Sequence, residues 1–319
     1  MDRQLKSRGV PLVPAARRPF AKSEGSIRSV SCRVKKGKGF KGLLLLLPLL
    51  LLLTMFTYYP FLKNIGMSFT LTNIKGEMVS FAGWSVYKDL FSNGAVWQSL
   101  KVSLLFVPMV VVPALLISTI LAALCRKKVA GTGIFSLLFS LPVAVSSSCV
   151  TMIFMTMLDP NMGLINSLFG LDIKWYLGTE TALLSVAMVV VWSIAGIDFL
   201  FLISAVRSIP ASHYESIALD GREGIRVFFR ITLPSISPTL FFLAVMNTIM
   251  AFQAMGPINI MTKGGPSGST NLFSYSIYQD AFFNFQYSQA AAKSLMFFLL
   301  ILIVTILQMR MEKKAVFYQ

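Results

Sequence analysis

The sequence predicts an all-α polytopic membrane protein with six transmembrane helices, and three observations carry that reading. Mean hydropathy is +0.70 and 55% of the residues are hydrophobic. Only 13% are charged, against 26 phenylalanines in 319 residues, a composition that excludes an ordinary soluble domain. A bilayer core of about 30 Å needs roughly 20 apolar residues per helix. Such windows recur near residues 43–63, 99–125, 134–157, 181–206, 237–260 and 289–309.

Residues 1–42 mix Lys and Arg with Ser, Gly and Pro and have no apolar period, so they are expected to form a disordered basic tail near the inner leaflet. The run LLLLLPLLLLLTMFTYYPF that follows is too long for a signal-peptide core, and no small-residue cleavage site succeeds it. It reads as an uncleaved first span in which Pro48 can introduce a kink. From 43 to 319 the chain is expected to be one membrane domain.

Charge sets the expected orientation. Twelve Lys/Arg in the tail, the turn Arg126-Lys127-Lys128, the four arginines Arg207, Arg222, Arg226 and Arg230, and Arg310, Lys313 and Lys314 place 22 of the 29 basic residues on one side. The positive-inside bias puts that side, with both termini, in the cytoplasm. The formal charge of +16 is then a matter of topology and attraction to membrane lipid, with no nucleic-acid partner expected. Cys32, Cys125 and Cys149 fall in the tail, at a span end and inside a span, so no outward-facing disulfide framework can be drawn.

Three segments join the spans on the outer side. In residues 64–98, Phe81, Trp84, Tyr87 and Phe91 are spaced by three and four, which suits an amphipathic helix anchored along the interface by its aromatic rings. The segment DPNMGLINSLFGLDIKWYLG is rich in turn residues. TKGGPSGST, residues 262–270, is expected to make a tight, exposed turn.

The inner segment 207–236 holds the densest mixture of acids, bases and glycine. Ser212 and Glu215 match the S-x-x-E capping box, so a short helix should begin at Ser212, with Tyr214, Ile217, Ala218 and Gly221 on one face. A second helix over Glu223–Thr232 would carry Arg222, Arg226 and Arg230 along one side and stop at Pro234. Such an element suits docking into a groove of a cytosolic protein. An inner loop that is charged merely to satisfy the positive-inside bias is the plainer alternative.

The order of these residues resembles the EAA loop of permease subunits in binding-protein-dependent ATP-binding-cassette importers, roughly E-A-A-x-x-D-G, nine residues, then I-x-L-P. Glu215, Asp220, Gly221, Ile231, Leu233 and Pro234 match it; Ser216 and Ile217 stand where the alanines would be, and Arg222 replaces a small residue. GIDFLFLISAVRSIP, the Phe252-Gln253 pair, TKGGPSGST and AAAKS at 290–294 extend the resemblance over roughly 43–310, closest to the carbohydrate and glycerol-phosphate permeases and to the first member of their usual pair.

That resemblance implies a type I importer permease architecture (MetI-like) in the bacterial plasma membrane. It implies a second permease subunit, a heterodimer being expected, a cytosolic ATPase dimer that binds ATP and Mg, and an extracellular solute-binding protein. This chain itself would bind no cofactor. The coupling residues carried over are Ser212, Tyr214, Glu215, Ser216, Ala218, Asp220, Gly221, Arg222 and Pro234. Glu215 would pair with a basic group of the ATPase, Gly221 would permit a bend, and Asp220 would hold it by hydrogen bonding.

Polar groups inside spans usually face the protein interior. This nominates Asp198, Asn247 and Gln253 for the solute pathway, with Trp192 available to stack on a sugar face. Interhelical hydrogen bonding is the structural alternative for each, and pairing with Arg207 is a further alternative for Asp198.

Two rival classes are weaker. An intramembrane enzyme needs positioned acids, bases or metal ligands, whereas the single histidine, His213, has no second ligand at metal spacing. No G-x-x-x-x-G-K-[ST] loop occurs, so the chain should not hydrolyse ATP itself. A self-contained secondary transporter or channel would show paired discontinuous helices or several intramembrane charges, and Asp198 is nearly alone.

Overall fold

The structure is a computed structural model that describes residues 36–126, 131–219 and 224–315, with side chains described for 45–126, 131–215 and 224–312. Residues up to Phe56 form one unit and those from Thr57 another. The first contains α1 (Lys36–Leu53), with Pro48 inside it, and enters a π turn at Thr54–Tyr58. Helix therefore begins seven residues before the predicted span, at Lys36; the rest of the basic tail lies outside the described residues.

In the second unit, α2 (Tyr59–Ser68) leads to a two-stranded antiparallel ribbon of β1 (Thr70–Thr72) and β2 (Met78–Phe81), then to α3 (Ser85–Ser92). The Asn73 carboxamide oxygen accepts from the amides of Lys75 and Glu77 at 3.0 and 2.9 Å, which fixes the ribbon's turn. The ribbon replaces the first part of the predicted amphipathic helix. Within α3, Val86 and Leu90 face the protein, while Tyr87 turns inward and donates to the Ser68 hydroxyl at 2.9 Å. Phe81, Trp84 and Phe91 remain exposed, as an interfacial role requires.

Among the described residues, five apolar helical stretches are long enough to cross a membrane: Leu45–Ser68, Gly94–Leu124, Ala182–Ser208, Ser237–Met261 and Tyr287–Glu312. They correspond to α1–α2, α4 (Gly94–Leu124), α8 (Ala182–Ser208), α12 (Ser237–Phe252) with α13 (Met255–Met261), and α15 (Tyr287–Ala315). The third predicted span, 134–157, is not one straight helix. It is α5 (Thr132–Ser140), a 3₁₀ turn at Leu141–Ala144 and α6 (Ser147–Met157), with the two halves bent by 106°.

The cause is local. Pro142 sits in the 3₁₀ turn, Val145 and Ser146 are extended, and the Ser146 hydroxyl caps α6 by accepting from the Cys149 amide at 3.4 Å. Gly196 of α8 receives the break, because a Cβ there would lie 2.8 Å from Pro142 Cβ. Beyond α6, α7 (Leu164–Phe169) forms part of an outer loop before α8.

After α8 come α9 (Ala211–Leu219), α10 (Ile225–Val227), α11 (Leu233–Ser235), α12 (Ser237–Phe252), α13 (Met255–Met261), α14 (Phe273–Phe282) and α15 (Tyr287–Ala315). The core runs along α4 and α8, with α12 packed on both. Phe106, Val110 and Ala114 of α4 meet Val186, Val189, Val190 and Ile194 of α8 in one cluster. Ala122, Phe199, Leu202, Val206 and Leu243 form another.

Lipid is as apolar as these side chains, so close packing and internal polar satisfaction supply the cohesion. Ser103 returns its hydroxyl to the Ser99 carbonyl and accepts from the Phe273 amide at 2.8 Å, tying α14 to α4. Ala290, Ala291 and Ala292 are buried where α15 approaches its neighbours. A buried ion pair, Lys293 with Asp280, joins α15 to α14, and Lys293 also donates to Ser276 at 2.8 Å.

The 262–270 turn is tight but only partly exposed: Lys263 and Ser267 are open to solvent, whereas Gly264 and Thr270 are buried. The Thr270 hydroxyl donates to the Gly265 carbonyl at 2.7 Å, which draws the end of the turn inward.

Candidate functional site

The inner segment starts where two spans end. Arg207, in the last turn of α8, donates to the Cys125 carbonyl at the C-terminus of α4, at 3.3 Å. A cation there complements the unpaired carbonyls of a helix end. Ile209 is extended, Pro210 follows, and α9 begins at Ala211. The helix thus starts one residue before the predicted cap, which puts Ser212 in the first turn and leaves it exposed, with Glu215 also exposed. Proline before the first turn, rather than the serine, sets the register.

Tyr214 is the residue that holds α9 in place. Its hydroxyl lies 3.2 Å from the buried Thr232 hydroxyl, and the Arg126 guanidinium sits 4.0 Å from its ring centroid. One side chain therefore joins α9, the segment leading back to the membrane and the end of α4. Ser216 and Ala218 lie on α9; Asp220, Gly221 and Arg222 lie outside the described residues, as do Lys127 and Lys128.

The return segment opens at Gly224, whose φ of 71° and ψ of −129° belong to a region that side-chain-bearing residues avoid. Sequence reading fixed on Gly221 and passed over Gly224, although Arg222-Glu223-Gly224 before an apolar run was the available signal. The predicted second helix is present but divided into α10, a π turn at Phe228–Thr232 and α11. Pro234 does not stop it. Proline offers no amide hydrogen to the preceding turn, and the π turn just before it accommodates that loss, so the helical path continues towards α12. Arg226 and Arg230 are exposed, whereas Ile231 is buried.

Of the four pathway candidates, the structure brings two together. Asn247 of α12 donates to Asp198 of α8 at 2.7 Å, both buried. Asp198 thus pairs with Asn247 and not with Arg207, and its other carboxylate oxygen has no hydrogen-bond partner among the described residues. The neighbouring Thr248 accepts from Gln308 of α15 at 2.8 Å. Trp192 is half-buried, edge-on to Phe154 at 6.0 Å. Gln253 is exposed at the break between α12 and α13.

A feature missed from sequence lies beside Gln253. A Cβ on Gly256 would stand 3.9 Å from the Ser147 hydroxyl, so the break in the fifth span meets the bend in the third. Ser146, Ser147 and Ser148 are exposed there. Hydropathy windows average over such a site; Pro142 followed by three serines, and Gly256-Pro257, were its traces.

A helical membrane bundle with a broken span and an inner hairpin of short helices has the build of a transport permease. The chain belongs to the family described as binding-protein-dependent transport system inner membrane component, whose sequence profile matches residues 114–316. It is 33% identical over 279 residues to the sn-glycerol-3-phosphate transport system permease protein UgpA of Pectobacterium atrosepticum, covering 86% of this chain and 95% of that one. The corresponding protein of Agrobacterium fabrum is 29% identical over the same shares.

Among solved structures, a chain of a bacterial alginate ABC transporter in complex with alginate pentasaccharide-bound periplasmic protein superposes with a TM-score of 0.71. It is 21% identical and covers 87% of this chain and 96% of its own length, a likeness of fold. The protein is a multi-pass inner-membrane permease subunit of an ATP-binding-cassette importer that works with a binding protein.

Proposed function

We propose that this permease lines part of the route for a hydroxyl-rich solute, a sugar, oligosaccharide or glycerol-phosphate-like molecule, and is driven through its 207–236 segment by a separate ATPase that binds ATP and Mg. The observation that carries the coupling role is the Tyr214 junction, where α9 is tied both to the return segment and to the end of α4. A push on α9 is thereby delivered to the spans. Exposed Glu215, Arg226 and Arg230 are left to meet a partner.

The positive-inside bias supports a cytoplasmic location for this segment and for both termini. A second permease subunit completes the pathway, and the solute-binding protein docks on the opposite side. The names of the relatives support the solute class. Exposed Ser146, Ser147, Ser148 and Gln253 at the meeting of the two helix breaks are the polar groups offered to hydroxyls, since irregular backbone at membrane depth is stable only where it lines a cavity or is covered by protein.

The test is uptake of labelled sugars and glycerol phosphates by vesicles holding the complete complex and its binding protein. Glu215→Ala, or Gly221→Asp, should leave the protein in the membrane with its partners and abolish uptake, because losing one member of a desolvated charge pair costs about 3–5 kcal/mol. Normal uptake by Glu215→Ala would overturn the coupling role. Co-purification without a second permease or an ATPase would favour a self-contained transporter.

A further inference from the structure

We propose that the groove where α4, α8 and α9 meet binds the phosphodiester headgroup of an anionic phospholipid. The groove encloses about 540 Å³ and is lined by Arg126, Val206, Arg207, Ile209, Tyr214 and Glu215, with Ala211 at its edge. That volume falls within the roughly 300–1,000 Å³ of small-ligand sites.

Two guanidiniums converge on it. Arg126 lies over the Tyr214 ring, 4.0 Å from the centroid, so its flat face is occupied while its in-plane N–H donors stay available. Arg207 donates to the Cys125 carbonyl through Nη2 and keeps further donors. Paired forks of this kind suit the two unesterified oxygens of a phosphodiester.

Depth and charge favour a lipid over a soluble anion. Arg126 stands two residues beyond Leu124, the end of α4, and Arg207 is in the last turn of α8, which places both guanidiniums at the level of the headgroups. Val112, Leu116, Ile120 and Leu124 are exposed at every fourth residue along α4, an apolar track on the same span for an acyl chain. Glu215 is the acidic side chain in the lining. One carboxylate against two guanidiniums leaves a net charge of +1, which the single negative charge of a diester neutralises.

The bound headgroup would bridge the ends of α4 and α8 to the base of α9. This inference stands apart from the solute and coupling assignments, because lipid retention is read without transport.

Native mass spectrometry of the delipidated, intact complex, titrated with phosphatidylglycerol and phosphatidylethanolamine of matched chains, tests it. The wild type should retain phosphatidylglycerol preferentially, and Arg126→Gln and Arg207→Gln should each weaken that preference by about fivefold. Arg126→Lys with Arg207→Lys keeps the charge but loses the forks, and should fall between. Unchanged preference in either glutamine variant would overturn the proposal. Displacement of the lipid by millimolar inorganic phosphate would reassign the groove to a soluble oxyanion. Retention that rises when the ATPase is stripped away would show a protein occupant, and would equally overturn it.

Discussion

The two segments that flank α8 are built on opposite plans. In the segment before α8, expected on the outer side from the charge bias, residues 158–181 bond several of their polar groups to one another. The Asp159 carboxylate accepts from the Asn161 and Met162 amides, both at 2.9 Å, and from the Tyr176 hydroxyl at 3.2 Å. Asn166 donates to the Pro160 and Ile173 carbonyls and accepts from the Trp175 indole at 2.7 Å. In the segment after α8, expected on the inner side from the charge bias, the Tyr214 hydroxyl lies against the Thr232 hydroxyl, while Glu215, Arg226 and Arg230 are exposed. The outer segment is a self-sufficient scaffold. The inner one leaves Glu215, Arg226 and Arg230 exposed, which is what a surface to be covered by another subunit needs.

Glycine substitutions should separate the two plans most sharply. A Cβ on Gly163 would fall under 3 Å from the Asp159 carbonyl and amide and the Met157 carbonyl. Gly163→Ala should therefore disrupt the outer segment by about 3 kcal/mol, at the upper end of overpacking costs, seen as protease sensitivity of that loop in outward-facing membranes. Among the described residues nothing lies within 4 Å of a Cβ on Gly224, so the strain of Gly224→Ala comes from its backbone conformation. It should cost about 1–2 kcal/mol and reduce uptake while the outer loop stays protected.

Tyr214→Phe removes the hydroxyl contact and keeps the ring beneath Arg126. About 0.5–1.5 kcal/mol should be lost, seen as faster hydrogen exchange in the return segment with membrane abundance unchanged. An equal change in the outer loop would erase the distinction between the segments.

pH sharpens the comparison with the smallest effect. The amides of Met162 and Asn161 hold the Asp159 carboxyl below its ordinary 3.8, and burial, with the Asp159 charge nearby, pushes the Tyr176 phenol above its ordinary 10.0. A depressed carboxyl contributes stability above its unfolded value and loses it as pH falls through the folded one. A raised phenol contributes below its unfolded value and loses it as pH rises through the folded one. The outer loop should therefore hold a flat stability plateau between about 4 and 10, measured by its exchange protection; a step within that plateau would contradict the pairing.

Much of this was legible in the sequence because membrane solvation leaves few choices. Twenty consecutive apolar residues have essentially one stable backbone solution in lipid, so the spans could be placed to within a few residues. The 106° bend could not, since a window sum registers the hydropathy of Pro142 and the serines but not the direction they impose. Glu215 and Pro234 were singled out by the capping pattern and the helix stop, and the resemblance added their coupling role; the register of α9 was missed by one residue because Pro210 outranks Ser212 as a starter. Partner choice was the least legible. Asp198 could be recognised as a buried polar group, but whether Asn247 or Arg207 answered it depended on how α8 and α12 rotate against each other.

The seat of Pro142 on Gly196 has a mechanical consequence. Gly196 stands twelve residues above Ser208, about 18 Å along the axis of α8 at 1.5 Å per residue. With the bend keyed into it, any tilt of α8 would carry the broken span along. A tilt of about 0.1 radian about the base would move that hinge by roughly 2 Å without unwinding a single turn.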